Sequence, residues 1–293
     1  MSADNGPWGA RDGSDVPAPS PISVSEHQLG PVSVRIERTT AQVKAAPLDK
    51  GQHPVWALIS TALLGGLIWF VSGSWVVAFA VIVGLFVHEY GHVLAMNRYG
   101  MGPARIYIVP FFGGYARGQR PPSSEWEGVK MSLAGPVFGL LAAIPFFGLW
   151  AVTGWADWLL GAFAIAMVNL VNLAPAPPLD GSKALGPVLA KVHPGLEKIA
   201  MVLIGLVGVA WGVMTGFYFL AVVMGIALFG TLKNGIRPEG GRLLSGREAW
   251  VGFGLFMTSL VACAAVAVAA LTPLAGSIEG SAAFGLNYLG FKL

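Results

Sequence analysis

Along residues 55 to 272 the chain alternates long apolar runs with short polar intervals. A helix needs about 20 mainly apolar residues to cross a bilayer, and about 17 suffice where the membrane is thin. Seven segments qualify, at approximately 55–72, 74–97, 129–151, 157–174, 197–213, 216–232 and 249–272. Leu196 to Leu232 could form one helix, but Lys233, Arg237, Arg242 and Arg247 would then face away from the other basic loops. A break near Thr215 and Gly216 keeps the positive residues together. Lys44 and Lys50, then Arg98, Arg105, Arg117 and Arg120, then Lys183 and Lys191, then the cluster after Leu232 all fall on one face, which the positive-inside rule makes cytoplasmic. The pattern predicts a cytoplasmic N-terminus, an external C-terminus and a second span running from outside to inside. Residues 105–117 alternate, are β-branched and lead into a Gly pair, which predicts short strands joined by a turn. The fold class expected is an all-α multi-pass membrane protein of about 6–7 transmembrane helices, with a small membrane-associated β element between the second and third.

Composition strengthens this reading. Hydrophobic residues make up 55% of the 293 and charged residues 11%, with a mean hydropathy of +0.66, well above an ordinary soluble domain. The net charge of +3 comes from short clusters between apolar runs, not from a stripe, so no nucleic-acid partner is expected. The single cysteine, Cys263, lies in an apolar run and reads as a small core residue. Residues 1–54 are rich in Pro, Ser, Asp and Gly, lack a signal-peptide core and predict a disordered cytoplasmic tail in which His27 and His53 are solvated. Residues 55–293 form the membrane domain. Gly135, Gly139 and Gly148 in the third span read as close helix contacts. No internal repeat points to the duplicated halves of a transporter.

The second span carries His88-Glu89-Tyr90-Gly91-His92, an HExxH sequence inside an apolar helix. An unpaired charge there costs about 3 kcal/mol or more, so the three ionisable groups need partners. At spacing i, i+4 the two imidazoles share one helix face and can reach a single ion, with Glu89 beside them to act on a metal-bound water. The plain alternative is a pair of core histidines bonded to backbone and a glutamate paired with a basic residue, but no Lys or Arg lies within the span. A zinc site with one open position needs a third protein ligand. Later acidic residues are Glu125, Glu127, Asp157, Asp180, Glu197, Glu239, Glu248 and Glu279, and His193 is the only later histidine. Asp180 ends the fourth span, which runs in the same direction as the second, so both motifs lie toward the cytoplasmic end. Pro175, Pro177 and Pro178 before it prevent a continuing helix, and non-helical backbone at membrane depth usually lines a cavity. A simple turn at Asp180-Gly181 is the competing reading.

HExxH, the helix start Ala134-Gly135-Pro136 and the string from Asn172 to Gly181, in this order on membrane spans, resemble the site-2 protease family of intramembrane zinc metalloproteases. The resemblance covers about residues 74–185, the expected catalytic core. It implies one Zn2+ per chain held by His88, His92 and Asp180, Glu89 as general base toward a zinc-bound water, and Asn172 near the scissile peptide. It also implies a sheet at 105–117 beside the active site, to whose edge a substrate strand could add. Ser182 stands where the family often has a second glycine. No interval between the motifs is long enough for a PDZ domain and no CBS-sized tail follows the last span, so the resemblance is to a minimal form. The expected reaction is hydrolysis of a peptide bond in or near the transmembrane segment of a single-span membrane protein, in the cell membrane and toward its cytoplasmic side. Membrane-tethered regulators are the substrate class implied. Three rivals remain: a membrane zincin whose third ligand is a later glutamate, a transporter with the metal as cargo, and a catalytically inactive membrane chaperone or scaffold with the same fold.

Overall fold

Several helices in this chain start and stop where nearby groups satisfy the backbone left open at their ends. The computed structural model describes residues 49–110, 113–216, 218–234 and 241–288. Helix α1 (Pro54–Ser72) opens with Pro54 in its first turn and His53 as cap, the imidazole accepting from the Val55 amide; it closes on Gly73 at φ +68°, where a β-carbon would be strained. Ser74 caps α2 (Trp75–Arg98) and its hydroxyl donates to Asp157 at 2.8 Å, which fixes the start of α2 to the start of α5 (Asp157–Asn172).

Strands β1 (Arg105–Val109) and β2 (Gly113–Arg117) follow α2 and pair antiparallel, with Tyr107 opposite Tyr115 and Ile108 opposite Gly114. The outer edge of β1 is already occupied: the Ile108 amide donates to Gln52 Oε1 at 2.8 Å and Gln52 Nε2 donates back to the Ile108 carbonyl at 2.9 Å. One side-chain amide thus substitutes for a neighbouring strand. Asp49, beside it, accepts from the Tyr107 hydroxyl, and that hydrogen bond holds its carboxyl below the usual range. Phe111 and Phe112 lie outside the described residues, as do residues 1–48 of the tail.

The remaining helices are α3 (Glu125–Leu141), α4 (Ile144–Thr153), α6 (Asp180–Val192), α7 (Pro194–Met214), α8 (Tyr218–Asn234), α9 (Gly246–Ala275) and α10 (Ile278–Tyr288). Among the described residues, five apolar stretches are long enough to cross a bilayer: α1, α2, Glu125–Thr153 through α3 and α4, α7 and α9; α5 and residues 221–233 of α8 are shorter apolar helices. The protein is therefore an all-α multi-pass membrane fold with a two-stranded hairpin. The stretch 197–232 divides in two as expected, α7 ending on Thr215 before Gly216 at φ +79°.

Helix α2 is the axis of the fold, packing against α3, α5 and α1. Lipid tails are as apolar as leucine, so close packing rather than expulsion of water holds such helices together. Two glycines of α2 set the approach: a β-carbon at Gly91 would lie 2.5 Å from the Ala134 carbonyl oxygen, and one at Gly84 would lie 2.8 Å from Ile165. Ser60 and Leu64 are the buried residues of α1, which leaves residues such as Phe70 and Leu58 to lipid. Cys263 is fully buried in α9, as expected of a core residue.

At one end Trp75, Trp155 and Trp158 cluster with ring centroids 5.6–6.0 Å apart, a typical interfacial grouping. At the other end the basic loops meet. Glu125 N donates to Arg242 O at 2.9 Å and Arg242 N donates to Ser123 O at 3.2 Å, so the loops before α3 and before α9 share a face.

Candidate metal centre

Three elements deliver the site. His88 and His92 sit one turn apart on α2, both buried, with their rings edge-to-face and centroids 4.8 Å apart. Asp180 is the first residue of α6, not a continuation of the preceding span. Helix α5 stops at Asn172, and the chain then folds through the three prolines and turns back into α6. A β-carbon at Gly181 would lie 2.0 Å from the Leu173 carbonyl oxygen, so the reversal depends on glycine there. The result places Asp180 Oδ2 at 3.0 Å from His88 Nε2 and 3.1 Å from His92 Nε2, with the two Nε2 atoms 3.1 Å apart.

The outer ring nitrogens settle what these inner atoms are. His92 Nδ1 lies 2.8 Å from the Met131 carbonyl oxygen, and His88 Nδ1 lies 2.9 Å from Asn169 Oδ1. Both partners can only accept, so both Nδ1 atoms carry hydrogen, which leaves Nε2 of each ring as the nitrogen that can bind an ion. Two ring nitrogens and a carboxylate oxygen then face one another within 3.1 Å, an arrangement that needs a positive charge among them, either a proton or a metal ion. Donors bonded to a tetrahedral ion at about 2.0–2.1 Å would stand about 3.3 Å apart, close to what is found. His88, His92 and Asp180 are also the one group of three or more metal-ligating side chains found among the described residues. Two neutral imidazoles and a carboxylate suit zinc in charge and donor type.

The other acidic candidates have different work. Asp157 accepts from Ser74, and Glu127 accepts from Ser123. Glu248 forms a capping box with Ser245 and is bound by Arg242 at 2.6 and 2.8 Å. His193 caps α7 by accepting from Gly195 N at 3.0 Å. Glu239 lies outside the described residues.

Glu89 is buried beside the triad, at 4% exposure, and packs on β2, where a β-carbon at Gly114 would lie 2.9 Å from its Cγ. The triad and Glu89 line a cavity of about 530 Å³, walled also by α1 through Leu64 and by α8 through Met224. Asn172 lines the same cavity, its Nδ2 donating to the Val168 carbonyl at 3.1 Å. Two buried polar atoms on its wall, Glu89 Oε2 and Ser132 Oγ, have no hydrogen-bond partner. Such atoms are expensive in a native interior unless water or a ligand meets them. Pro136, four residues beyond Ser132 in α3, has no N–H for the Ser132 carbonyl, so the helix is locally underbonded at the cavity wall.

Asn169, Met131, Ser132 and Gly135 escaped the sequence reading as individual contributors. Asn169 did leave a signal, as a second amide in an apolar helix three residues before Asn172. Gly135 does more than admit a neighbouring helix. A β-carbon there would lie 2.4 Å from His92 Nε2 and 2.8 Å from His88 Nε2, inside the space the donors need. Gly139 likewise faces Asn169, whereas Gly148 has nothing within 4 Å and makes no close contact. Gly135→Ala is therefore expected to lower zinc affinity by at least the roughly 10-fold attached to disturbing a ligand's support, and Gly148→Ala to leave it unchanged. Competition with a chromophoric chelator on the purified proteins measures both, and equal affinities would remove the steric argument.

Residues 76–156 match the model of Peptidase family M50, a segment that includes His88, Glu89 and His92 and ends before Asn169 and Asp180. A zinc metalloprotease of Methanocaldococcus jannaschii is 27% identical over 157 residues, covering 50% of this chain and 44% of that protein. A candidate zinc metalloprotease of Synechocystis sp. is 28% identical over 176 residues, covering 56% of this chain and 42% of that protein. The chain thus spans less than half the length of these curated relatives. These likenesses bear out the resemblance for the segment that holds HExxH and Ala134-Gly135-Pro136.

Proposed function

We propose that this protein is an intramembrane zinc metalloprotease that hydrolyses a peptide bond in or near the transmembrane segment of a membrane-protein substrate. The observation that carries the reading is the inward convergence of three lone-pair donors next to a buried carboxylate with a free oxygen, on the wall of one cavity. The names of the two relatives support it. His88, His92 and Asp180 would hold the ion, which when bound supplies Lewis acidity and makes a coordinated water acidic enough to react near pH 7.

The chain's own groups do the rest. Glu89 Oε2 accepts a proton from the attacking water as the water oxygen bonds to the scissile carbonyl carbon. The same carboxyl then passes that proton to the amide nitrogen as the C–N bond breaks, so the products are a free acid and a free amine. Asn172 and the Ser132 hydroxyl, both on the cavity wall, would meet substrate polar groups, with Asn172 aligning the peptide or its developing oxyanion. A helical substrate must unwind to expose a peptide bond. Gln52 already satisfies β1 at Ile108, whereas β2 borders the cavity, so β2 is the edge to which an unwound strand would add.

Co-expression with a tagged single-span substrate, followed by incubation of isolated membranes, tests the reading. Cleavage should stop with a zinc chelator and return when zinc is restored. Cleavage that continues at full rate in metal-free membranes would sink it.

The orientation proposed puts the metal centre toward the cytoplasm, with the lipid bilayer around the helices. It rests on the meeting of the arginine-bearing loop before α3 with the Arg242 loop before α9 and on the tryptophan cluster at the other end. Pro121→Cys adds an exposed thiol to the first of these loops, and the native Cys263 is fully buried. An impermeant thiol reagent should leave this variant unlabelled in intact cells and label it after lysis. Labelling from outside would reverse the orientation.

A further inference from the structure

We infer that Asn169 is a positioning residue of the metal centre, one that sets the tautomer and direction of His88 and thereby the affinity for the ion. The inference rests on the proposed zinc site and adds a residue that touches neither ion nor substrate. Asn169 is fully buried at 0% exposure in α5, inside an otherwise apolar face. A buried amide in such a place is costly unless its groups are bonded. Its Nδ2 donates to the Ile165 carbonyl at 2.8 Å, four residues back along its own helix. That bond fixes which way the amide points, because a flipped amide would set its oxygen against the Ile165 oxygen. The remaining acceptor, Oδ1, is thereby held toward His88 Nδ1 at 2.9 Å.

The consequence passes through the imidazole. With Nδ1 forced to donate, the proton cannot move to Nε2, and the lone pair stays aimed at the space shared with His92 and Asp180. Outer groups of this kind orient a ligand and raise its basicity, and losing one typically weakens metal binding about 10- to 100-fold. His92 obtains the same service from the Met131 carbonyl, a backbone atom that substitution cannot remove. His88 depends on a side chain. Gly139 of α3 belongs to the device, since a β-carbon there would lie 2.1 Å from Asn169 Oδ1 and would displace the amide.

The test is zinc affinity of the purified full-length protein in detergent, stripped with chelator and titrated against a chromophoric competitor. Asn169→Leu keeps the volume and removes the acceptor; Asn169→Asp loses the bond to the Ile165 carbonyl but keeps an acceptor toward His88 whichever way its carboxyl turns. The expected order is a loss of about 10- to 100-fold for the Leu variant and affinity within about threefold of wild type, or tighter, for the Asp variant. A packing role would reverse that order, because leucine suits an apolar interior better than aspartate. Leu and wild type binding equally, or Asp binding more weakly than Leu, overturns the inference. If the Leu variant fails to fold by gel filtration and circular dichroism, Asn169→Asp and Gly139→Ala decide: retained affinity in the first with a loss of about 10-fold in the second supports the inference, and any other pairing overturns it. Failure of wild type to bind zinc would instead overturn the reading of the site itself.

Discussion

Glu89→Gln is expected to reduce proteolysis by the roughly 100- to 10,000-fold associated with general acid and base catalysis while leaving bound zinc unchanged. Amide and carboxylate have nearly the same shape, and Glu89 packs against β2 at Gly114, so the variant should keep the local packing. What it loses is an oxygen able to take a proton. Oε2, with no protein partner, is the atom whose replacement matters. An inactive chaperone with this fold would behave differently: binding of a membrane substrate and any phenotype would survive the change. The measurement is cleavage of a tagged single-span substrate in membranes carrying wild type or the Gln variant, alongside zinc content of both. Undiminished cleavage by a zinc-loaded Gln variant would refute the assignment of Glu89.

Asp180→Ala should cost more zinc affinity than the loss of any outer partner, that is, more than about 10- to 100-fold. The substitution removes the anionic donor and leaves two imidazole lone pairs facing each other at 3.1 Å. Two neutral nitrogens are too few to complete a tetrahedral site. Glu248→Ala is the matched control, since that carboxylate is engaged by Arg242 and by the cap of α9. Elemental analysis of the folded, purified proteins should show zinc in wild type and in the Glu248 variant and a large deficit in the Asp180 variant. Equal zinc in all three would detach Asp180 from the centre and revive a ligand from a later helix.

The parts of this fold legible in the sequence were those governed by local pattern. Apolar length marked the long helices, the positive residues separated α7 from α8, and alternation before a glycine pair marked the hairpin. Helix α6 was not legible. It is only 13 residues long and contains Gly181, Gly186 and an internal Pro187, so its composition reads as a loop. It is helical because Ala184 and Val188 pack into the cluster around Val129 and Phe256, a contact no local rule anticipates. The break between α3 and α4 at Ala142-Ala143 was equally hidden, since both sides are apolar.

The same division runs through the site. His88, Glu89 and His92 could be read together because one helix fixes their spacing. Asp180 could be reached by elimination among few acidic residues. Asn169 and the Met131 carbonyl could not, since their roles depend on how α5 and α3 are rotated against α2. Ser132 needed the cavity itself, because an unpartnered hydroxyl is visible only once its surroundings are known.

Gly91, Gly135 and Gly139 lie along the seam between α2, α3 and α5, each with a neighbour where a β-carbon would fall. Every amino-acid replacement at a glycine adds that carbon, so these positions have no conservative alternative, unlike a leucine that can drift to methionine or isoleucine. Lipid-facing residues of α1 can vary freely as long as they remain apolar. Over long divergence the outer helices can therefore lose their sequence identity while the seam stays fixed, so the places where side chains are forbidden would carry the history of this protein alongside the residues that bind the ion.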